Sequence, residues 1–300
     1  MNQRTQTNTI LIITVILCSV LIIGSIWGVY LFDHSSPNPD FGSSTTEPSE
    51  TSSSTESEEQ TTGSIPPIDE KPKKKIALTF DDGPSSAYTH QILDLLEQYQ
   101  AKATFFVCGY QLKESTKDEL QRAISLGCEI GNHSNTHKNS LTKLSDEDIL
   151  TEMRAASEKI AQISGTDYQC RVYRPPNGEI NRRVAEVLVE NEIYMYPILW
   201  SVDSRDWEYR KNYNNGKITR EEAVQGTFET VVQYTEEGSV ILMHDIQSIT
   251  PDVVALILEK YTAEGYEFVT VSELFGFEEM QNEEAYFNRY RSVNSIVPMN

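Results

Sequence analysis

Two carboxylates stand side by side at Asp81-Asp82, with Gly83-Pro84 directly behind them. An apolar run at residues 76–80 leads into the pair and reads as a strand. Neighbouring residues leaving a strand face opposite ways, so the two acids can take separate tasks, one as a base and one as a metal ligand. From this segment alone an ordinary Asp-Gly-Pro turn is the plainer alternative. His133-Ser134-Asn135-Thr136-His137 sets two imidazoles four residues apart. On a helical turn they share a face and can hold one ion, whereas two unrelated surface histidines would not. The chain has only five His, and His34 lies in the Ser/Thr/Glu/Pro-rich linker. Asp82, His133 and His137 would make a two-His, one-carboxylate set with positions left open for water and substrate, as in catalytic zinc sites. Ferrous sites use the same ligand types.

Further along, Arg174-Pro175-Pro176-Asn177-Gly178 is a rigid turn with a charge at its start, able to clamp a carboxylate or simply to sit on the surface. The segment from Trp200 to Trp207 carries Asp203 and Asp206 between two indoles, which suit a sugar groove or a core. Leu242-Met243-His244-Asp245 ends an apolar run in a histidine suited to proton transfer, or to a satisfied core position.

The elements that must position these groups alternate. Strands are expected at 76–80, 103–108, 128–132, 172–174, 195–202, 239–243 and 268–271. Helices are expected at 88–99, 117–126, 146–163, 181–191, 220–235 and 251–264. The helix at 146 has Ser145 as its cap and buries Ile149, Met153, Ala156 and Ile160 at three- to four-residue spacing. Alternating βα units over some 200 residues predict one α/β domain with a parallel sheet, long enough for an irregular barrel. Asp81, Asp82, His133, Arg174, Gly178, Asp203 and His244 all fall at carboxyl ends of strands, which a barrel brings to one face. The cysteines of the domain, Cys108, Cys128 and Cys170, are placed away from those ends, allow at most one bridge and are not expected to act as thiolates.

Composition sets the compartment. The net charge of −20 excludes a nucleic-acid binder by repulsion. Four Cys in 300 residues exclude a disulfide scaffold. Residues 1–8 carry Arg4 and precede an uncharged, Ile/Leu/Val-rich run at 9–32. As a helix that run would be about 36 Å long, enough to span about 30 Å of hydrocarbon. No small-residue cleavage site follows it, so it is expected to be an uncleaved signal anchor, with cleaved export as the alternative. Arg4 before the run and Asp33 after it put the amino terminus inside, the chain single-pass in the cell membrane and the rest outside the cytoplasm. Residues 33–71 are rich in Ser, Thr, Glu and Pro and read as a disordered tether. The domain is expected at 72–276, and the tail, 277–300, either docks as a helix or frays.

Taken in this order and at strand ends, these segments resemble the polysaccharide deacetylases with a NodB-homology domain, carbohydrate esterase family 4, over about two-thirds of the chain. The resemblance implies an irregular, TIM-like (β/α) barrel that removes acetyl groups from glycans with one divalent metal, zinc first, with cobalt, manganese, nickel or iron as alternatives. It implies Asp81 as general base, with Asp82, His133 and His137 as metal ligands. It further implies Arg174 orienting Asp81, His244 as general acid and Asp203 as the partner of His244. Trp207 and Leu242 become walls of the groove, and the Asn177 N–H becomes an oxyanion donor. Asn177 departs from the family's usual aromatic, which removes an apolar wall, and the loop at 208–220 is long for its place and expected to reshape the cleft. With the anchor, the implied substrate is a cell-wall polysaccharide, N-acetylglucosamine of peptidoglycan first. Exopolysaccharide poly-N-acetylglucosamine, chitin oligomers, acetyl-xylan and a non-catalytic glycan-binding role are the alternatives.

Overall fold

The structure, a computed structural model, describes residues 73–277. The expected anchor, the tether and nearly all of the tail lie outside the described residues. Among the described residues, no helix is long and apolar enough to cross a membrane.

Among the described residues, eight parallel strands and eight helices follow one another. They are β1 (Lys74–Asp81), α1 (Thr89–Gln98), β2 (Ala103–Val107), α2 (Lys117–Ser125), β3 (Glu129–Asn132), α3 (Asp146–Ser164), β4 (Val172–Tyr173) and α4 (Arg182–Glu190), then β5 (Tyr196–Pro197), β6 (Val202–Asp203), α5 (Asp206–Asn214), α6 (Arg220–Tyr234), β7 (Val240–His244), α7 (Thr250–Ala263), β8 (Tyr266–Phe268) and α8 (Val271–Phe275). They alternate except where β5 leads to β6 and α5 to α6. The sheet order is β5-β4-β3-β2-β1-β7-β6, with β8 paired to the start of β1. Its two edge strands, β5 and β6, follow one another in the chain. The link between Pro197 and Val202 can span at most about 18 Å, so the sheet must curl until its edges nearly meet. That is the expected irregular barrel, with a seam where β5 and β6 do not pair.

The single strand expected at 195–202 is therefore two. Pro197 has no N–H to extend a ladder. Past the seam the chain pairs with β7 instead, where Ser201 N–H donates to Val240 O at 3.0 Å. Two further expectations change. The stretch at 208–220 is mostly helix α5, whose Tyr209 covers Gly226 of α6 and bonds Thr230 Oγ1 at 3.2 Å. The strand expected at 268–271 ends at Phe268, and Thr270 caps α8 in a capping box with Glu273. The Ser145 cap and the four buried positions of α3 are found as expected.

β1 is central and buried from Ile76 onward. Its two-residue period separates two layers. Ile76, Leu78 and Phe80 pack with Ile92, Leu93 and Leu96 of α1, while Ala77 faces the barrel interior with Phe106, Val172 and Tyr196. Gly131 of β3 also faces inward, where a methyl group would stand 2.5 Å from the Phe106 ring and 3.1 Å from Val172. Gly131→Ala is expected to destabilise the domain by about 1–3 kcal/mol through overpacking, measured by equilibrium urea unfolding.

Candidate active site

β1 and β7 run in parallel register with Asp81 opposite His244. Paired residues of neighbouring strands share a face about 4.8 Å apart, so the sheet alone sets an acid beside an imidazole. Asp81 is buried, and Arg174 leaves β4 to reach it through the interior. Its Nη1 donates to Asp81 Oδ1 at 2.7 Å and to Thr79 Oγ1 at 2.8 Å. Its Nε and Nη2 donate to the carbonyls of Ile198 and Leu199 at the seam, at 3.1 and 3.0 Å. The guanidinium carbon lies 4.2 Å from the Phe106 ring centre and 5.6 Å from that of Trp200. Burial lowers the Arg174 value and Asp81 opposes it, so the group stays a cation. One oxygen of Asp81 is thus occupied, and the other faces His133 Nε2 at 3.6 Å.

Asp82 follows at φ 73°, in the left-handed region, where Asp is tolerated better than most residues. This turn swings its carboxylate away from Asp81 and toward the two histidines. His133 and His137 do not lie on a helical turn as expected. They sit in a loop with Ser134 and His137 both at positive φ, and Ser134 Oγ accepts from His137 N–H at 3.1 Å. The rings nonetheless converge, with centroids 4.8 Å apart. His133 Nδ1–H donates to Arg174 O at 2.7 Å, which leaves Nε2 with a free lone pair. Burial lowers the His133 value against the pull of Asp81 and Asp82, favouring the neutral ring that a metal requires.

Asp82 Oδ1 lies 3.6 Å from each Nε2, and the ligand atoms of Asp82, His133 and His137 all fall within 4.8 Å of one another. That spacing is too long for hydrogen bonds. It resembles the roughly 3.4 Å between two ligands of one tetrahedral ion with bonds of about 2.0–2.1 Å. The donor set therefore fits a divalent ion such as zinc.

His244 corrects one assignment. Asp203 does not hold it: Asp203 Oδ1 accepts from Arg205 N–H at 2.8 Å, and its side chain lines the cleft. The partner is Asp206, three residues on and fully buried at the start of α5. Its Oδ1 accepts from His244 Nδ1 at 2.7 Å, and its Oδ2 accepts from His244 N–H and Thr250 Oγ1, each at 2.7 Å. No local pattern marks it, because Asp206 is simply the first residue of α5, after Arg205 as N-cap, with no side-chain cap. Burial opposes ionisation of Asp206, but the His244 charge and these hydrogen bonds hold it below the ordinary carboxylate value. Burial would likewise lower His244. Asp206, with Asp81 and Asp82 beyond it, overcomes this and pushes the imidazole up to about 10.

These groups line a cleft of about 390 Å³ with Asn177, Gly178, Trp200, Asp203, Trp207, Leu242 and Gln247. Asn177 has φ 60°, which Asn adopts readily, and its Nδ2 donates to Ser140 Oγ at 3.1 Å. Gly178 is required because a methyl group there would stand 2.7 Å from the Trp200 ring. Trp207 is 44% exposed and Leu242 is buried in the wall. A larger cavity, about 720 Å³, is lined by Cys128, Glu129 and Phe277 at the other end of the strands, and holds none of these groups.

Two residues near the site were not expected there. Cys108 directly follows β2, so one cysteine does lie at a strand end. Burial, then Asp82 and Asp81, push its thiol far up, which favours the protonated form. All three domain cysteines are free. Asp245, next to His244, is fully buried and accepts from Thr89 Oγ1 at 2.5 Å, and burial pushes it up to about 7.

The fold and site define a class: a parallel, curled (β/α) barrel with an Asp–His–His cluster between a buried carboxylate and an imidazole at its carboxyl mouth. A family model described as polysaccharide deacetylase matches residues 68–196. Peptidoglycan-N-acetylglucosamine deacetylase PgdA of Listeria monocytogenes is 37% identical over 219 residues, which are 73% of this chain and 42% of that protein. The chain thus spans less than half the length of that relative. A peptidoglycan-N-acetylglucosamine deacetylase of Bacillus cereus is 34% identical over 211 residues, 68% of this chain and 90% of its own length. The solved structure of peptidoglycan deacetylase PdaC from Bacillus subtilis matches with a TM-score of 0.58 and 35% identity, covering 75% of this chain and 96% of that one. The chain belongs to the polysaccharide deacetylase family.

In metal-free protein the raised His244 value makes stability pH-dependent. The His244–Asp206 pair contributes fully below the ordinary His value of about 6.5. That contribution is lost as pH rises through about 10. Denaturant unfolding across this window is expected to show the loss in the wild type. Asp206→Asn should be less stable at the acid end and much flatter with pH, and Asp203→Asn should keep the wild-type slope. The reverse pattern would return the partner role to Asp203.

Proposed function

We propose that this protein is a metal-dependent hydrolase that removes N-acetyl groups from N-acetylglucosamine residues of a cell-wall polysaccharide, peptidoglycan above all. The observation that carries the reading is the convergence of an Arg-held carboxylate, an Asp–His–His cluster and an Asp-held imidazole in one cleft. The names of the Listeria and Bacillus relatives support peptidoglycan as the substrate. Residues 9–32 serve as the membrane anchor and 33–71 as the tether, so the domain works on the outer face of the cell membrane.

Asp82, His133 and His137 would hold the ion. A divalent metal there supplies a Lewis acid and lowers the pKa of water near it. Asp81 accepts the proton of the attacking water on Oδ2, because Arg174 occupies Oδ1 and fixes the carboxylate plane. The Asn177 N–H donates to the oxyanion that develops on the acetyl carbonyl. His244 delivers a proton from Nε2 to the departing nitrogen, since its Nδ1–H is committed to Asp206. Acetate and a free amine leave. Trp207 and Leu242 wall the acetyl group and the sugar, and the amide of Asn177 replaces an apolar wall with a polar one.

The test is acetate release by the full-length protein from peptidoglycan, N-acetylglucosamine oligomers and acetyl-xylan, with added zinc or with chelator. Peptidoglycan is expected to be the best substrate, activity should vanish with chelator, and the pH profile should be bell-shaped. Asp81→Asn and His244→Ala are each expected to lose about 10²–10⁴-fold in kcat. Equal activity in Asp81→Asn would remove the base assignment. Zinc binding without acetate from any glycan would overturn the deacetylase reading.

A further inference from the structure

The two sides of the metal cluster come from strands that do not touch. Asp82 follows β1, whereas His133 and His137 follow β3, and β2 lies between them. The residue at the end of that middle strand is Cys108. It grips both neighbours. Its thiol lies 3.9 Å from Asp82 Oδ1 and 3.5 Å from His133 O. Its backbone N–H donates to Gly83 O at 3.0 Å, and His133 N–H donates back to Val107 O at 3.0 Å. Cys108 is fully buried. It is not among the three residues whose ligand atoms cluster, so it stands behind Asp82 rather than in the ligand set.

Asp82 needs such support. A non-glycine residue at φ 73° carries strain of about 1–3 kcal/mol that its surroundings must hold in place. A carboxylate that ligates a metal is usually oriented by a hydrogen bond from behind. The single thiol proton has two acceptors in reach, His133 O at 3.5 Å and Asp82 Oδ1 at 3.9 Å, and when turned to Asp82 it is the only side-chain donor to that oxygen, outside the two histidines, that the described residues supply. We propose that Cys108 is a positioning residue for the metal site, its thiol aiming the Asp82 carboxylate at His133 and His137 from the intervening strand. This rests on the reading that the cluster holds a divalent ion.

The test separates donor from volume. Cys108→Ser keeps a donor, and Cys108→Val fills the space without one. Zinc affinity of the full-length protein is measured by competition with a chromogenic chelator, with metal-free thermal unfolding to confirm that each variant folds. Cys108→Val is expected to weaken zinc binding by about 10- to 100-fold, the range for loss of an outer-shell partner, and Cys108→Ser to bind like the wild type. Wild-type affinity in Cys108→Val would overturn the proposal, as would equal weakening in both variants, which would make the role one of packing. Should Cys108→Val fail to fold, Cys108→Ala is read the same way. A wild-type protein that binds no zinc would overturn the metal reading itself, an outcome distinct from either.

Discussion

The guanidinium of Arg174 is the centre on which the rest of the site depends. It is fully buried, and every nitrogen is engaged: Asp81 and Thr79 on one side, the carbonyls of Ile198 and Leu199 on the other. The same residue's carbonyl takes the His133 Nδ1 proton. One side chain and its peptide therefore fix the Asp81 carboxylate, orient the His133 ring and stitch the sheet where its two edge strands fail to pair. A buried cation of this kind is costly unless its donors are satisfied and a counter-charge is close. Here Asp81 supplies the charge and the open seam supplies the carbonyls. The imperfection in the barrel is what makes room for the group that organises the chemistry.

A second buried pair, His244–Asp206, mirrors the first. In Arg174–Asp81 the cation holds the acid, which is the proposed base. In His244–Asp206 the acid holds the imidazole, which is the proposed proton donor. Asp81 and His244, one from each pair, end adjacent parallel strands in register, so the sheet sets the separation of the two pairs. Between them the Asp–His–His cluster is drawn from β1 and β3, with β2 tying the two sides. Each reactive atom is thus left free because its neighbour on the same side chain is occupied: Asp81 Oδ2, His133 Nε2 and His244 Nε2.

Much of this was legible in the sequence. The alternation of apolar runs and amphipathic segments is a local property, so it located β1, β2, β3, β7 and most helices, and it put Asp81, Asp82, His133, Arg174 and His244 at strand ends. The seam was not legible, because residues 195–202 read as one apolar strand and nothing local says that its halves pair with opposite edges of the sheet. Helix α5 was missed because its polar pattern, Asp206 to Asn214, shows no strong apolar stripe. It is held by contact with α6 through Tyr209 and Gly226.

Residue types and their spacing by themselves determined which groups were on offer: two acids, two imidazoles suited to one ion, a clamp and a further histidine, at or just past the ends of strands. Which acid serves which imidazole was decided only in three dimensions. Asp203 and Asp206 are three residues apart and equally eligible along the chain. The turn into α5 sends the first toward Arg205 N–H and buries the second beneath His244, where low polarity and four hydrogen-bond donors hold its charge. A hydrogen bond depends on where atoms arrive, and for residues nearly forty positions apart only the closed sheet sets that.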